Sequence, residues 1–135
     1  PPAGYIAWYN HGPILGISFR LPFTPLSSAE GEYIAATRAV IAAISLREIA
    51  KFAGVKIEEP SLIFCDNMAA VLLSDNDTSS RRMKHVATRI AFLRERVNEK
   101  EIMLYHIMAT AMVADIFTKP LTLKLFQLFR SYLLK

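Results

Sequence analysis

Cysteine is nearly absent from this chain: Cys65 stands alone among 135 residues, which excludes an internal disulfide. One thiol with the scattered His11, His85 and His106 also lacks the ligand spacing of a zinc site. Aspartate is missing from the first 65 residues, where the only carboxylates are Glu30, Glu32, Glu48, Glu58 and Glu59. No apolar run approaches the roughly 20 residues that cross a bilayer. The opening "PPAGYIAWYNHGP" has neither the basic region nor the cleavage site of a secretory signal. These absences predict an intracellular protein with no membrane partner, in a compartment the residues do not name. What is present, 53% hydrophobic and 21% charged residues, suits one folded domain over residues 1–135. The net charge of +4 favours a polyanionic partner but is shared by many proteins that bind no nucleic acid.

Two β-prone runs, 4–10 and 13–19, flank "HG" and predict a hairpin with a tight glycine-containing turn. Trp8, Tyr5, Tyr9 and Phe19 on it read as sheet core. From Ser28 to Gly54 the chain is alanine-rich, with Ile34, Val40, Ile41, Ile44, Ile49 and Phe52 as the apolar positions of one long helix. Ser27 or Ser28 caps its start, Glu30 and Glu32 fall in its first turns, where acids suit the helix dipole, and Gly54 stops it. "SLIFCD" predicts a strand and "NMAAVLL" a helix. Val86, Ile90, Leu93 and Val97 form one stripe of a helix over 83–98, and "IMLYHIM", 102–108, reads as a strand with His106 packed on one face. "ATAMVADIFTK" reads as helical, Pro120 breaks it, and a last amphipathic helix covers 122–134. The order predicts an α/β fold, a mixed β-sheet with helices on its faces.

Asp66 thus falls at the carboxyl end of a strand, where ligands of such sheets collect. Asp66 and Asn67 equally suit the cap of a following helix. "SSRRMKHVATR" gathers Arg81, Arg82, Lys84, His85 and Arg89. That span reads either as a phosphate-contacting patch or as a solvated basic turn. Cys65 reads as a buried strand residue.

Four strings, "LSSAEGEYIAA" at 26–36, "IFCDNMAAVLLSDN" at 63–76, "MKHVATRIAFLRERV" at 83–97 and "VADIFTKPL" at 113–121, occur in one order. In these strings nearly the whole chain resembles the ribonuclease H domain of copia-type retrotransposon polyproteins. The resemblance implies a ribonuclease H-like fold, a five-stranded mixed sheet with helices on both faces, that cuts the RNA of an RNA/DNA hybrid. It also implies two Mg²⁺ ions, hard cations that take oxygen ligands and at roughly 4 Å separation activate water and stabilise the leaving oxygen. By motif position the catalytic and metal-binding acids would be Glu32, Asp66 and Asp115, with Glu30 an alternative if the helix register differs by a turn.

The chain departs from that pattern in one respect above all: the family's further aspartate lies on a first strand that precedes the hairpin, and nothing here corresponds to it. The resemblance therefore implies a fold truncated at its first strand, with an open sheet edge that a preceding segment, a partner protein or a rearranged sheet must cover. A mean hydropathy of +0.27 agrees with surface buried against a partner. "MATAM" stands before Asp115 where the family has a more polar string. Two functions follow: a nuclease completed from outside these residues, or a retroelement-derived component, without catalysis, of a larger protein or ribonucleoprotein assembly.

Overall fold

The computed structural model describes residues 1–25, 27–67 and 86–134. Alternation of exposed and half-buried side chains builds β1 (Pro2–Tyr9) and β2 (Gly12–Arg20), an antiparallel hairpin. The turn is Asn10–His11, both with positive φ (48° and 67°), and Gly12 is already paired with Tyr9. The sequence-based placement at His11–Gly12 is therefore one residue late. A two-residue turn with both φ positive matches the right-handed twist of the strands, and asparagine tolerates that region without glycine's help. Ala7 pairs with Leu15 and Trp8 with Pro13, so Ile14 is an extra residue bulged beside a proline that cannot donate to the ladder.

Helix α1 (Ser28–Phe52) starts where the Ser27 hydroxyl accepts from the Glu30 amide at 3.2 Å. It ends at Gly54, whose φ of +86° lets the Gly54 amide reach the Lys51 carbonyl and the Val55 amide the Ala50 carbonyl, both at 2.9 Å. Its buried face runs through Tyr33, Ala36 and Val40, while Ile41, Ile49 and Phe52, expected in the apolar stripe, are exposed. Every isoleucine counts as apolar in a sequence pattern; packing chose the row that meets the strands.

Strand β3 (Ser61–Cys65) pairs in parallel with β4 (Ile102–His106), from Ser61 opposite Ile102 to Cys65 opposite His106. The Ile107 amide extends the ladder to the Cys65 carbonyl at 2.8 Å. Between these strands lies helix α2 (Ala87–Asn98), whose Ile90 and Leu93 are buried together with Val86 just before it. One core joins Tyr33, Ala36 and Val40 of α1, Val86, Ile90 and Leu93, and Cys65 and Ile102 of the parallel pair. Cys65 is buried, as expected, and its thiol is pushed up to about 11 by burial first and then by the charges of Glu32 and Asp66.

The segment 109–119, expected to be helical, forms only two 3-10 turns, Ala109–Ala111 and Val113–Phe117. Thr110, Val113 and Ile116 are β-branched and weaken a helix, and Pro120 denies it an extension. Helix α3 (Leu123–Leu133) follows, capped by the Thr122 hydroxyl accepting from the Leu125 amide at 3.4 Å. The architecture is mixed α/β, but among the described strands there are two two-stranded sheets and not one mixed sheet. A cavity of about 1680 Å³ lies between them, bordered by all of β1 and β3. Trp8 and Tyr9, expected in the sheet core, are exposed beside it, at 42% and 58%. Among the described residues no helix is long and apolar enough to cross a membrane.

Candidate active site

Three elements bring one acid each to the same cavity. Glu32 comes from the start of α1, Asp66 from the residue after β3, and Asp115 from the 3-10 turn Val113–Phe117. The Ser27 cap fixes the rotation of α1 that turns Glu32 to the cavity, whereas Glu30, the alternative, is buried and does not line it. Asp66 follows the end of the parallel ladder, where the His106 Nε2–H donates to its backbone carbonyl at 3.1 Å. His106 is exposed and tied to the site's backbone; packing on a sheet face, the sequence expectation, is not what it does.

The Asp115 turn is clamped to the hairpin. The Ser18 hydroxyl donates to the Phe117 carbonyl at 2.9 Å. A Cβ built on Gly4 would lie 2.7 Å from the Ile17 carbonyl and 3.1 Å from the Thr118 methyl, so glycine lets strand and turn close up. The Asp115 carbonyl accepts from the amides of Thr118 at 3.1 Å and Lys119 at 3.2 Å, which bends the chain back over its own carboxylate. The Lys119 ammonium then lies 2.7 Å from Asp115 Oδ2. Lys119 was not singled out from the sequence, although its spacing of four from Asp115 is a signal that could have found it.

The electrostatics show that Glu32 feels the other two acids. Burial raises the Glu32 carboxyl above its ordinary 4.5, and the negative charges of Asp66 and Asp115 raise it further, against a smaller lowering by Lys119. The Lys119 ammonium is raised in turn, first by its hydrogen bond to Asp115 and also by the charges of Asp66 and Glu32. Mutual repulsion of this kind is what a bound cation relieves, and three carboxylates are the oxygen donors that Mg²⁺ takes. Among the described residues, however, no three His, Cys, Asp or Glu side chains are gathered tightly enough to hold a metal ion as they stand. The donor chemistry fits a divalent cation, and Glu32 senses the charges of Asp66 and Asp115 without the three forming a closed ligand shell.

Of the basic patch, Arg81, Arg82, Lys84 and His85 lie outside the described residues, as does the "NMAAVLL" helix that Asp66 and Asn67 were expected to cap. Arg89 is half-buried in the first turn of α2.

Comparison with known proteins covers most of the chain. The chain is 31% identical over 128 residues to the retrovirus-related Pol polyprotein from transposon RE1 of Arabidopsis thaliana, covering 95% of this chain and 9% of that protein. Its homologues are retrovirus-related Pol polyproteins. The corresponding protein from transposon RE2 of the same plant is 31% identical over 126 residues, and that from transposon TNT 1-94 of Nicotiana tabacum 30% over 125. The chain spans about a tenth of the length of these polyproteins. No family model matches the chain, and no solved structure does.

Proposed function

We propose that the chain is a ribonuclease H-like domain of copia-type descent, whose cavity end is built for metal-assisted hydrolysis of the RNA strand in an RNA/DNA hybrid. The observation that carries the reading is that Glu32, Asp66 and Asp115, drawn from positions 34 and 49 residues apart, line one cavity in which the charges of Asp66 and Asp115 act on Glu32. Descent from a Pol polyprotein supports it.

In this reading Glu32, Asp66 and Asp115 would hold Mg²⁺, which when bound would supply Lewis-acid activation of water and stabilisation of the leaving oxygen. Glu32 and Asp66 present carboxylates from a helix start and a strand end, both fixed by backbone hydrogen bonds. Arg89, with Arg81, Arg82, Lys84 and His85, supplies cations for the phosphates of the hybrid.

The cavity also bears on the ligand that the family carries on its first strand. Its floor includes Ala35, Ala36, Ala39 and Ala43 of α1, small side chains that leave room above the helix. β1 and β3 are each hydrogen-bonded to one described strand only. One extended strand between them, from sequence beyond these residues or from a partner protein, would join the two sheets and deliver a fourth carboxylate. The test is cleavage of a labelled RNA/DNA hybrid with Mg²⁺ by a version extended with its natural upstream residues. Cleavage that is lost in Asp66→Asn is expected; no cleavage by the extended version overturns the reading.

A second reading, a retroelement-derived binding component without catalysis, is favoured by the Lys119–Asp115 ion pair, which already neutralises one of the three acids. It falls if the 135 residues alone cut hybrids at enzyme-like rates. Hybrid binding whose affinity drops by roughly 0.7–0.9 log units per phosphate contact for each tenfold rise in salt would show the basic patch at work in either case.

A further inference from the structure

Lys119 is placed as a cation already resident among acids. Its ammonium lies 2.7 Å from Asp115 Oδ2, and the carboxylate it faces is 12% exposed while Lys119 itself is 49% exposed. The ammonium is therefore the mobile member of the pair: four methylenes and open solvent give it somewhere to go, whereas Asp115 is held in a turn whose carbonyl takes two amides. Its charge also reaches Glu32 and Asp66, so it offsets the whole cluster and not one acid alone.

We propose that Lys119 is a built-in competitor for the cation site: it neutralises the carboxylates while no divalent ion is bound, and it must leave Asp115 before one binds there. This rests on the reading of Glu32, Asp66 and Asp115 as metal ligands. The arrangement sets a threshold, because a divalent ion gains the three carboxylates only after an existing ion pair breaks. It also offsets part of the repulsion that Glu32 feels from Asp66 and Asp115 in the ion-free protein.

The test is calorimetric titration of the 135-residue protein with MnCl₂, in the wild type and in Lys119→Met, Lys119→Arg, Glu32→Gln and Asp66→Asn. Lys119→Met is expected to bind Mn²⁺ about twofold to fivefold more tightly, the equivalent of one partly exposed ion pair, and Lys119→Arg no more tightly than wild type. In a parallel measurement, modification of Lys119 by acetic anhydride, read by mass spectrometry, is expected to rise several-fold at saturating Mn²⁺ as the amine is freed. Unchanged or weaker binding by Lys119→Met, or Lys119 modification unaffected by Mn²⁺, overturns the proposal. If Glu32→Gln and Asp66→Asn lose affinity while Lys119→Met matches wild type, only the competitor role falls. If none of these proteins binds Mn²⁺, or if Glu32→Gln and Asp66→Asn bind as wild type does, the cation site falls with it.

Discussion

The two sheets among the described residues are held by opposite means. In the hairpin, the partners of β1 and β2 lie within 18 residues of each other, and a two-residue turn sets the register. In the parallel pair, Ser61 meets Ile102 across 41 residues, and only the shared core under α1 and α2 brings the strands together. The parallel pair exposes Leu62, Phe64, Met103 and Tyr105 on one face but gives Cys65 and Ile102 to the main core; the hairpin, with Trp8, Tyr9 and Ile14 exposed, gives that core no residue. Local pairing thus shapes the hairpin with little core of its own, whereas burial makes the parallel pair and carries Asp66 to its place. The acid site stands at the seam, since Asp115 is clamped to the hairpin and Asp66 ends the parallel pair.

If the parallel half depends on its core, Leu93→Ala, 1% exposed in α2, should cost about 2–5 kcal/mol in urea unfolding, against within about 0.5 kcal/mol for Tyr9→Ala on the hairpin. Equal losses would erase the contrast. The packing of the Asp115 turn on the hairpin is probed by Gly4→Ala, whose new Cβ would meet the Thr118 methyl of the turn at 3.1 Å as well as the hairpin's own Ile17 carbonyl at 2.7 Å; overpacking should cost about 1–3 kcal/mol. Stability unchanged by that substitution would mean that β1 is not closely packed against β2 and the turn. Ser27→Ala removes the acceptor of the Glu30 amide, and a loss of about 1 kcal/mol should appear as a lower urea midpoint.

The two helix ends sharpen the comparison further. Lys100 closes α2 as Gly54 closes α1, with its amide on Val97 and that of Glu101 on Arg96, but it holds φ 57° with a side chain present. Lys100→Gly should therefore gain about 0.5–1 kcal/mol in the same assay.

The smallest effect depends on pH. Glu32 has a folded-state pKa above its ordinary 4.5, so the folded protein holds that proton more tightly than the unfolded chain does. Its contribution to stability is thus complete below pH 4.5 and is lost as pH rises through the raised value. Glu32→Gln should match wild type in acid and become the more stable protein above that window, which urea titrations across pH 4–8 would show. A wild type that gains from Glu32 ionisation would reverse the sign and remove the charge repulsion from the site.

Much of the fold was legible because its signals are local. Ser27 and Gly54 bound α1, the stripe from Val86 to Val97 marks α2, and "SLIFC" and "IMLYH" mark the parallel strands. Three things were not legible for reasons of packing. The choice of Ile34 and Val40 over Ile41 and Ile49 as buried residues depends on which row meets a strand. The 3-10 turns at 109–117 arise where β-branched residues and Pro120 oppose a helix that the alanines alone would favour. The exposure of Trp8 and Tyr9 reflects a hairpin bordering a cavity where a sheet core was expected.

By itself, the sequence determined most of the described elements and singled out Glu32, Asp66 and Asp115 as candidates, because caps, turns and periodicity act over a few residues and because the three acids lie in recognisable strings. Only the tertiary structure decided that those acids share a cavity, that Lys119 sits on Asp115, and that the two sheets stand apart with α1's alanines between them. Charge coupling and cavity shape depend on distances between residues remote in the chain, and no local pattern of side chains encodes such distances.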